Sequence, residues 1–99
     1  MILAKVAGTV VSTQKVQTMD GMKFLILQQV DIDGKPTGGS IIAADAVDAG
    51  IGEYVLYATG SSARQTDRTD KIPCDAVVIA IVDNWEIAGK CKYKKGESD

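Results

Sequence analysis

The side chains able to do chemistry are few and poorly grouped. The 99 residues include no histidine, which removes the commonest general acid, general base and metal ligand. Cys74 and Cys91 stand apart, with no spacing that would hold a metal. They are expected as free thiols in a reducing compartment, against the alternatives of a redox pair or a single metal ligand. Asp45, Asp75 and Asp83 read as turn and capping residues, because no ligand spacing joins them. The run Gly60-Ser61-Ser62-Ala63-Arg64 offers a cation beside two hydroxyls. Ser62 and Gln65 fit a capping box that would start a short helix over residues 63–67, and a helix N-terminus attracts anions. Nothing pairs a nucleophile with an oriented base. The expectation is a protein that is not an enzyme, with no cofactor and no metal.

Charge and composition narrow the partners. A net charge of −2 gives no electrostatic drive towards nucleic acid or anionic lipid. Aromatic residues make up 5% of the chain, too few for a stacking groove that reads single-stranded nucleic acid. No apolar run approaches the ~18–20 residues that span a bilayer, and the N-terminus lacks a basic region followed by a long apolar core. A cytoplasmic location without membrane or nucleic-acid partners follows as the expectation. A chain of this length forms one domain, able to bury about two-thirds of the surface its unfolded form exposes.

The elements that must position these residues read as short strands. Residues 2–13 form a first strand with a nearly continuous apolar even-numbered face, and Gly8 inside it suggests a bend or bulge. Residues 22–30 form a second strand, after an Asp20-Gly21 turn. Asp33-Gly34-Lys35-Pro36 and Gly38-Gly39 precede a short third strand over residues 40–44. Residues 45–50 are expected as one helical turn, capped by Asp45 and stopped by Gly50. Gly50 and Gly52 form a tight entry turn into a fourth strand over residues 53–59. Residues 76–83 form a fifth. The second and fifth strands are apolar on both faces, whereas a small antiparallel domain leaves one face wet. Another subunit is therefore expected to cover their second faces. In residues 84–99, Trp85 and Ile87 are candidates to dock the tail, and lysines alternating with Cys91 and Tyr93 permit a short extra strand with one charged face. The fold class is all-β: a small five-stranded OB-like barrel with one or two short helical turns. Residues 1–83 make the barrel domain and residues 84–99 a lysine-rich, partly ordered tail.

The ordered residues then resemble a known family. Leu3-Ala4-Lys5-Val6, Gly8 and Val10-Val11-Ser12-Thr13 fit its first strand. Ala44-Asp45, Val47, Ala49-Gly50, Gly52-Glu53 and Val55-Leu56 follow, then Gly60 to Arg64. Pro73, Asp75-Ala76, Ile79 and Ile81-Val82-Asp83 complete the pattern. Together they are similar to the bacterial microcompartment vertex proteins of the EutN/CcmL family. Asp48 stands where that family has glycine, and aspartate tolerates φ > 0 at modest cost. Cys74 replaces an aliphatic residue.

The resemblance implies a barrel resembling an OB-fold and a structural role without catalysis. It implies a homopentamer that caps the five-fold vertices of a polyhedral shell built of hexameric shell proteins, located in the microcompartment shell of the cytoplasm. Gly60, Ser61, Ser62 and Ala63 would form a loop near the symmetry axis and its opening. Arg64 reads either as a solvated or locally paired surface charge or, at a subunit interface, as the partner of Glu53 or Asp75 in the next subunit. The alternative function is an OB-type binding module for nucleic acid or a small ligand.

Overall fold

The computed structural model describes residues 1–11, 23–60 and 75–96. Seven strands lie among them: β1 (Ile2–Val10), β2 (Phe24–Val30), β3 (Pro36–Asp45), β4 (Tyr54–Thr59), β5 (Ala76–Ile81), β6 (Asn84–Ile87) and β7 (Lys90–Lys94). The first five close into a barrel in the order β1-β2-β3-β5-β4, with β4 pairing back onto β1. All ladders are antiparallel except the short β3–β5 pairing. The strands form where β-branched and aromatic residues cluster, since these pack well on a pleated surface.

Side-chain alternation sorts the barrel residues into two apolar clusters. The interior holds Ala4, Val6, Leu25, Leu27, Ala43, Val55, Tyr57 and Val78. The Tyr57 hydroxyl, fully enclosed, accepts a hydrogen bond from Gln29 Nε2 at 2.7 Å. The opposite faces of β3, β4 and β5 contribute Ala44, Ala58 and Val77 to a second cluster, with Phe24, Ala46 and Ile79 packed on it.

That second cluster changes the expectation about doubly apolar strands. Val77 is fully buried within the chain, so this part of β5 needs no neighbouring subunit to cover it. On β2 the outcome differs. Ile26 is 37% exposed and lies opposite Ile42 of β3, which is 56% exposed. On the other side Ile26 pairs with Gly8, which has no side chain to cover it.

Further features of the fold bear on the sequence reading, some agreeing with it and some not. Strand β3 begins at Pro36 and runs through Gly38 and Gly39. Gln29 leans across Gly39, where an added Cβ would crowd Gln29 Oε1. The expected bulge falls between Val6 and Gly8, where the β1–β2 register shifts. Residues 46–50 form a bend instead of a helical turn. Asp48 adopts φ +61°, which breaks any run of right-handed helical residues. There is no α-helix among the described residues, and the short helix expected over residues 63–67 lies outside them. The tail forms a two-stranded hairpin, β6–β7, and not a single added strand.

Candidate functional site

The connection between β3 and β4 is organised by two carboxylates. Asp45 ends β3 and is 2% exposed. Its Oδ1 accepts from the Val47 N–H at 3.1 Å and its Oδ2 from the Ala49 N–H at 2.9 Å. The capping role read from sequence is therefore present, applied to a bend. Lys23 closes the arrangement: its Nζ lies 3.5 Å from Asp45 Oδ2 and donates to the Ala49 carbonyl at 2.9 Å. Asp48 Oδ1 is 3.4 Å from the same ammonium. At the far end of the connection, Glu53 Oε1 accepts from the Gly50 N–H. Gly52 takes φ +90° and donates its N–H to Val6 O, while the Val6 N–H returns a bond to Glu53 O. The Gly50 and Gly52 turn thus pins the start of β4 onto β1.

The second oxygen of Glu53 meets the tail. Lys95 Nζ lies 2.6 Å from Glu53 Oε2. This bond from Lys95, with the Gly50 N–H beside it, holds the Glu53 carboxyl below the usual carboxylate range. The same bond raises Lys95 above the usual lysine value. A second ion pair joins Lys92 to Asp33 at 3.1 Å. Between them sits an aromatic group. Tyr54 meets Trp85 edge-on, with centroids 5.1 Å apart, and Tyr93 at 4.6 Å. Lys5 lies 5.4 Å from the Tyr54 ring centroid. The Trp85 indole N–H donates to Ile32 O at 2.8 Å.

The residues singled out from sequence are spread over the barrel. Gly60 and Asp75 are neighbours, joined by a Gly60 N–H to Asp75 O bond at 2.9 Å where β4 ends and β5 begins. Glu53 is at the opposite end of β4, about 20 Å away along the strand. One side chain cannot reach both carboxylates within one chain. Ser61, Ser62, Ala63, Arg64 and Cys74 lie outside the described residues. Cys91 is an exposed free thiol on β7. Among the described residues no group of three metal-ligating side chains converges, and no helix is long and apolar enough to cross a membrane.

Sequence reasoning missed the Glu53–Lys95 pair and the gathering of Tyr54 with Trp85 and Tyr93. The available signal was the choice of Trp and Tyr on one side of the alternating tail, opposite its lysines. The geometry is that of a braced barrel with an exposed isoleucine pair. An exposed apolar pair of this kind is a feature of packing surfaces.

Comparison with known proteins agrees along the whole barrel. A family described as "Ethanolamine utilisation protein EutN/carboxysome" matches residues 1–83. The carboxysome shell vertex protein CcmL of Gloeobacter violaceus is 46% identical over 95 residues, covering 96% of this chain and 95% of that one. A solved structure of Gloeobacter violaceus CcmL superposes with a TM-score of 0.93 at 45% identity, over 98% of this chain and 100% of that one. The pentameric microcompartment shell protein GrpN from Rhodospirillum rubrum gives a TM-score of 0.81 at 41% identity, over 88% of this chain and 99% of that one. The chain belongs to the EutN/CcmL family.

Proposed function

We propose that this chain is a structural shell protein of a bacterial microcompartment, assembling as a homopentamer that caps the five-fold vertices of the shell. The observation that carries this reading is the full-length likeness to a carboxysome shell vertex protein and to a pentameric shell protein. The Ile26–Ile42 pair supports it independently: two large apolar side chains face solvent side by side on the barrel wall, which marks a contact surface when the pair is covered by another copy. The role is geometric and not enzymatic. Five copies closing a ring supply curvature that a flat sheet of hexameric tiles lacks, and those tiles are the outer partners. Nucleic acid and membrane are not partners, and the shell lies in the cytoplasm. In this reading residues 1–83 form the assembling domain and residues 84–99 its tail. Gly60, Ser61, Ser62 and Ala63 line the axis, and Arg64, Glu53 and Asp75 lie at subunit contacts.

Native mass across a dilution series tests the assembly. A concentration-stable pentamer is expected. A stable monomer overturns the reading and leaves a lone OB-like module. In the source organism, deletion is expected to leave shells open or elongated, with intermediates leaking; normal closed shells count against the vertex role.

A further inference from the structure

The barrel ladder is complete before the tail hairpin begins. Strand β5 ends at Ile81, and the Val82 N–H still bonds to Tyr54 O at 2.8 Å. Strands β6 and β7 form their own sheet. Their connection, Ala88-Gly89, has φ +51° and +82°, the signature of a primed two-residue turn that suits a self-contained hairpin. The Lys95 N–H to Asp83 O bond closes the base of this unit upon itself. Side chains fasten the hairpin to the barrel. Among these attachments are the Tyr54 contacts with Trp85 and Tyr93, the Trp85 N–H to Ile32 O bond, and the Glu53–Lys95 and Asp33–Lys92 pairs. A Cβ at Gly34 would meet Trp85 at 3.5 Å, so the turn over residues 31–35 is closely packed on the indole.

We propose that the β6–β7 hairpin is a strap that opens from the barrel as a unit of its own, fastened on the Tyr54 ring by the Glu53–Lys95 and Asp33–Lys92 ion pairs, while the barrel remains folded. A lone two-stranded hairpin is marginal in water, so the strap loses order when it lifts. Closed, it covers the Tyr54 ring and the residues 31–35 turn; open, it bares both. The two fastenings are solvent-facing, and salt screens such pairs. The groups facing Glu53 are Lys95 from the end of the hairpin, the Gly50 N–H from the turn and, at longer range, Lys23. Lys95 in turn faces Asp83 and Tyr93. Ionic strength therefore acts chiefly on the strap, since the barrel strands are joined mainly by backbone bonds and apolar burial, and the Lys23–Asp45 pair at the end of β3 has a buried carboxylate that salt screens less. The strap is built within one subunit but shares Glu53 with the subunit contact of the pentamer reading; an unchanged native mass of Glu53→Gln separates the two.

Hydrogen exchange on the full chain, read at peptide resolution, tests it. In wild-type protein, residues 84–94 are expected to exchange faster than β2 and β5. Their rate should rise roughly fivefold between about 0.05 M and about 0.5 M sodium chloride, with β2 and β5 unchanged. Glu53→Gln keeps an acceptor for the Gly50 N–H and removes the charge that holds Lys95. It is expected to speed hairpin exchange about threefold at low salt and to shrink the salt effect. The proposal is overturned if residues 84–94 exchange at the rate of β2 and β5, or if their exchange responds to neither salt nor Glu53→Gln.

Discussion

Lys95 Nζ lies 2.6 Å from Glu53 Oε2, so the residue just beyond the last strand grips the turn that launches β4. The pair is partly exposed, and water screens pairs of that kind. Its importance is positional. Glu53 holds the Gly50 N–H with one oxygen and the tail with the other.

The pair predicts an acid limb. Glu53 is held below its ordinary value of 4.5 in the folded chain. Its contribution is therefore complete above that pH and is lost as pH falls through the lower folded value. Lys95 has the opposite sign: its value is raised above 10.5, so its contribution is present below that pH and is lost in strong alkali. Denaturant midpoints measured from pH 6 down to about pH 3 should fall more steeply in wild type than in Glu53→Gln. Parallel curves would remove the pair as the cause.

Gly39→Ala is expected to destabilise the barrel by about 1–2 kcal/mol. The new Cβ would strike Gln29 Oε1, and the same amide holds the buried Tyr57 hydroxyl. The Gln29 side chain must then move and leave that hydroxyl unpartnered. Tyr57→Phe removes the orphaned group, so the double variant should lose less than the sum of the two single changes in a thermal or urea melt.

Asp45→Ala should cost about 2–4 kcal/mol, because it strips two backbone N–H groups of their acceptor in a buried corner. Asp45→Asn keeps one side-chain oxygen and should lose roughly half as much. Equal losses from the two variants, measured by urea unfolding, would show that the paired oxygens are not what matters.

Ile42→Glu places a charge on the exposed isoleucine pair. The isolated subunit should change by no more than about 0.5 kcal/mol, as surface substitutions do. Self-association should weaken at least tenfold in light scattering, since a charge left unpaired in an apolar contact is heavily penalised. Unchanged mass at all dilutions would mean this wall of the barrel is not where copies meet.

How much of this was legible depended on distance along the chain. The strands over residues 24–30, 54–59 and 76–81 showed themselves through local composition, and the β1 bulge through Gly8. Asp45 was correctly a capping residue, yet the cap did not start a helix. The left-handed turn at Asp48 follows within three residues, at the position where the family pattern has glycine and where aspartate tolerates φ > 0. Gly38 and Gly39 read as a turn and proved to be strand: Gly38 takes a φ of +94°, and Gly39 lies under Gln29 of the adjacent strand. The hairpin was half visible. Alternation in residues 90–95 gave β7, whereas Ala88 hid the turn by doing what glycine or asparagine does more readily. The braces Glu53–Lys95 and Asp33–Lys92 join segments that only the closed barrel brings together, and no spacing in a linear chain encodes that meeting.

The closure of β4 onto β1 sets how such a subunit can be added to or taken from a larger body. Closure pairs the five barrel strands around the ring and shortens the edge left to template another chain, although among the described residues β3 meets β5 only at Ala44 and Asp45. Neighbours can then join it wall against wall, through side chains. Contacts of that kind form and part without rethreading a ladder of backbone bonds, and they set an angle between neighbours by the shape of the wall. A closed barrel is thus suited to be a corner piece: it fits a fixed angle, and a misplaced copy can leave before the structure around it is sealed.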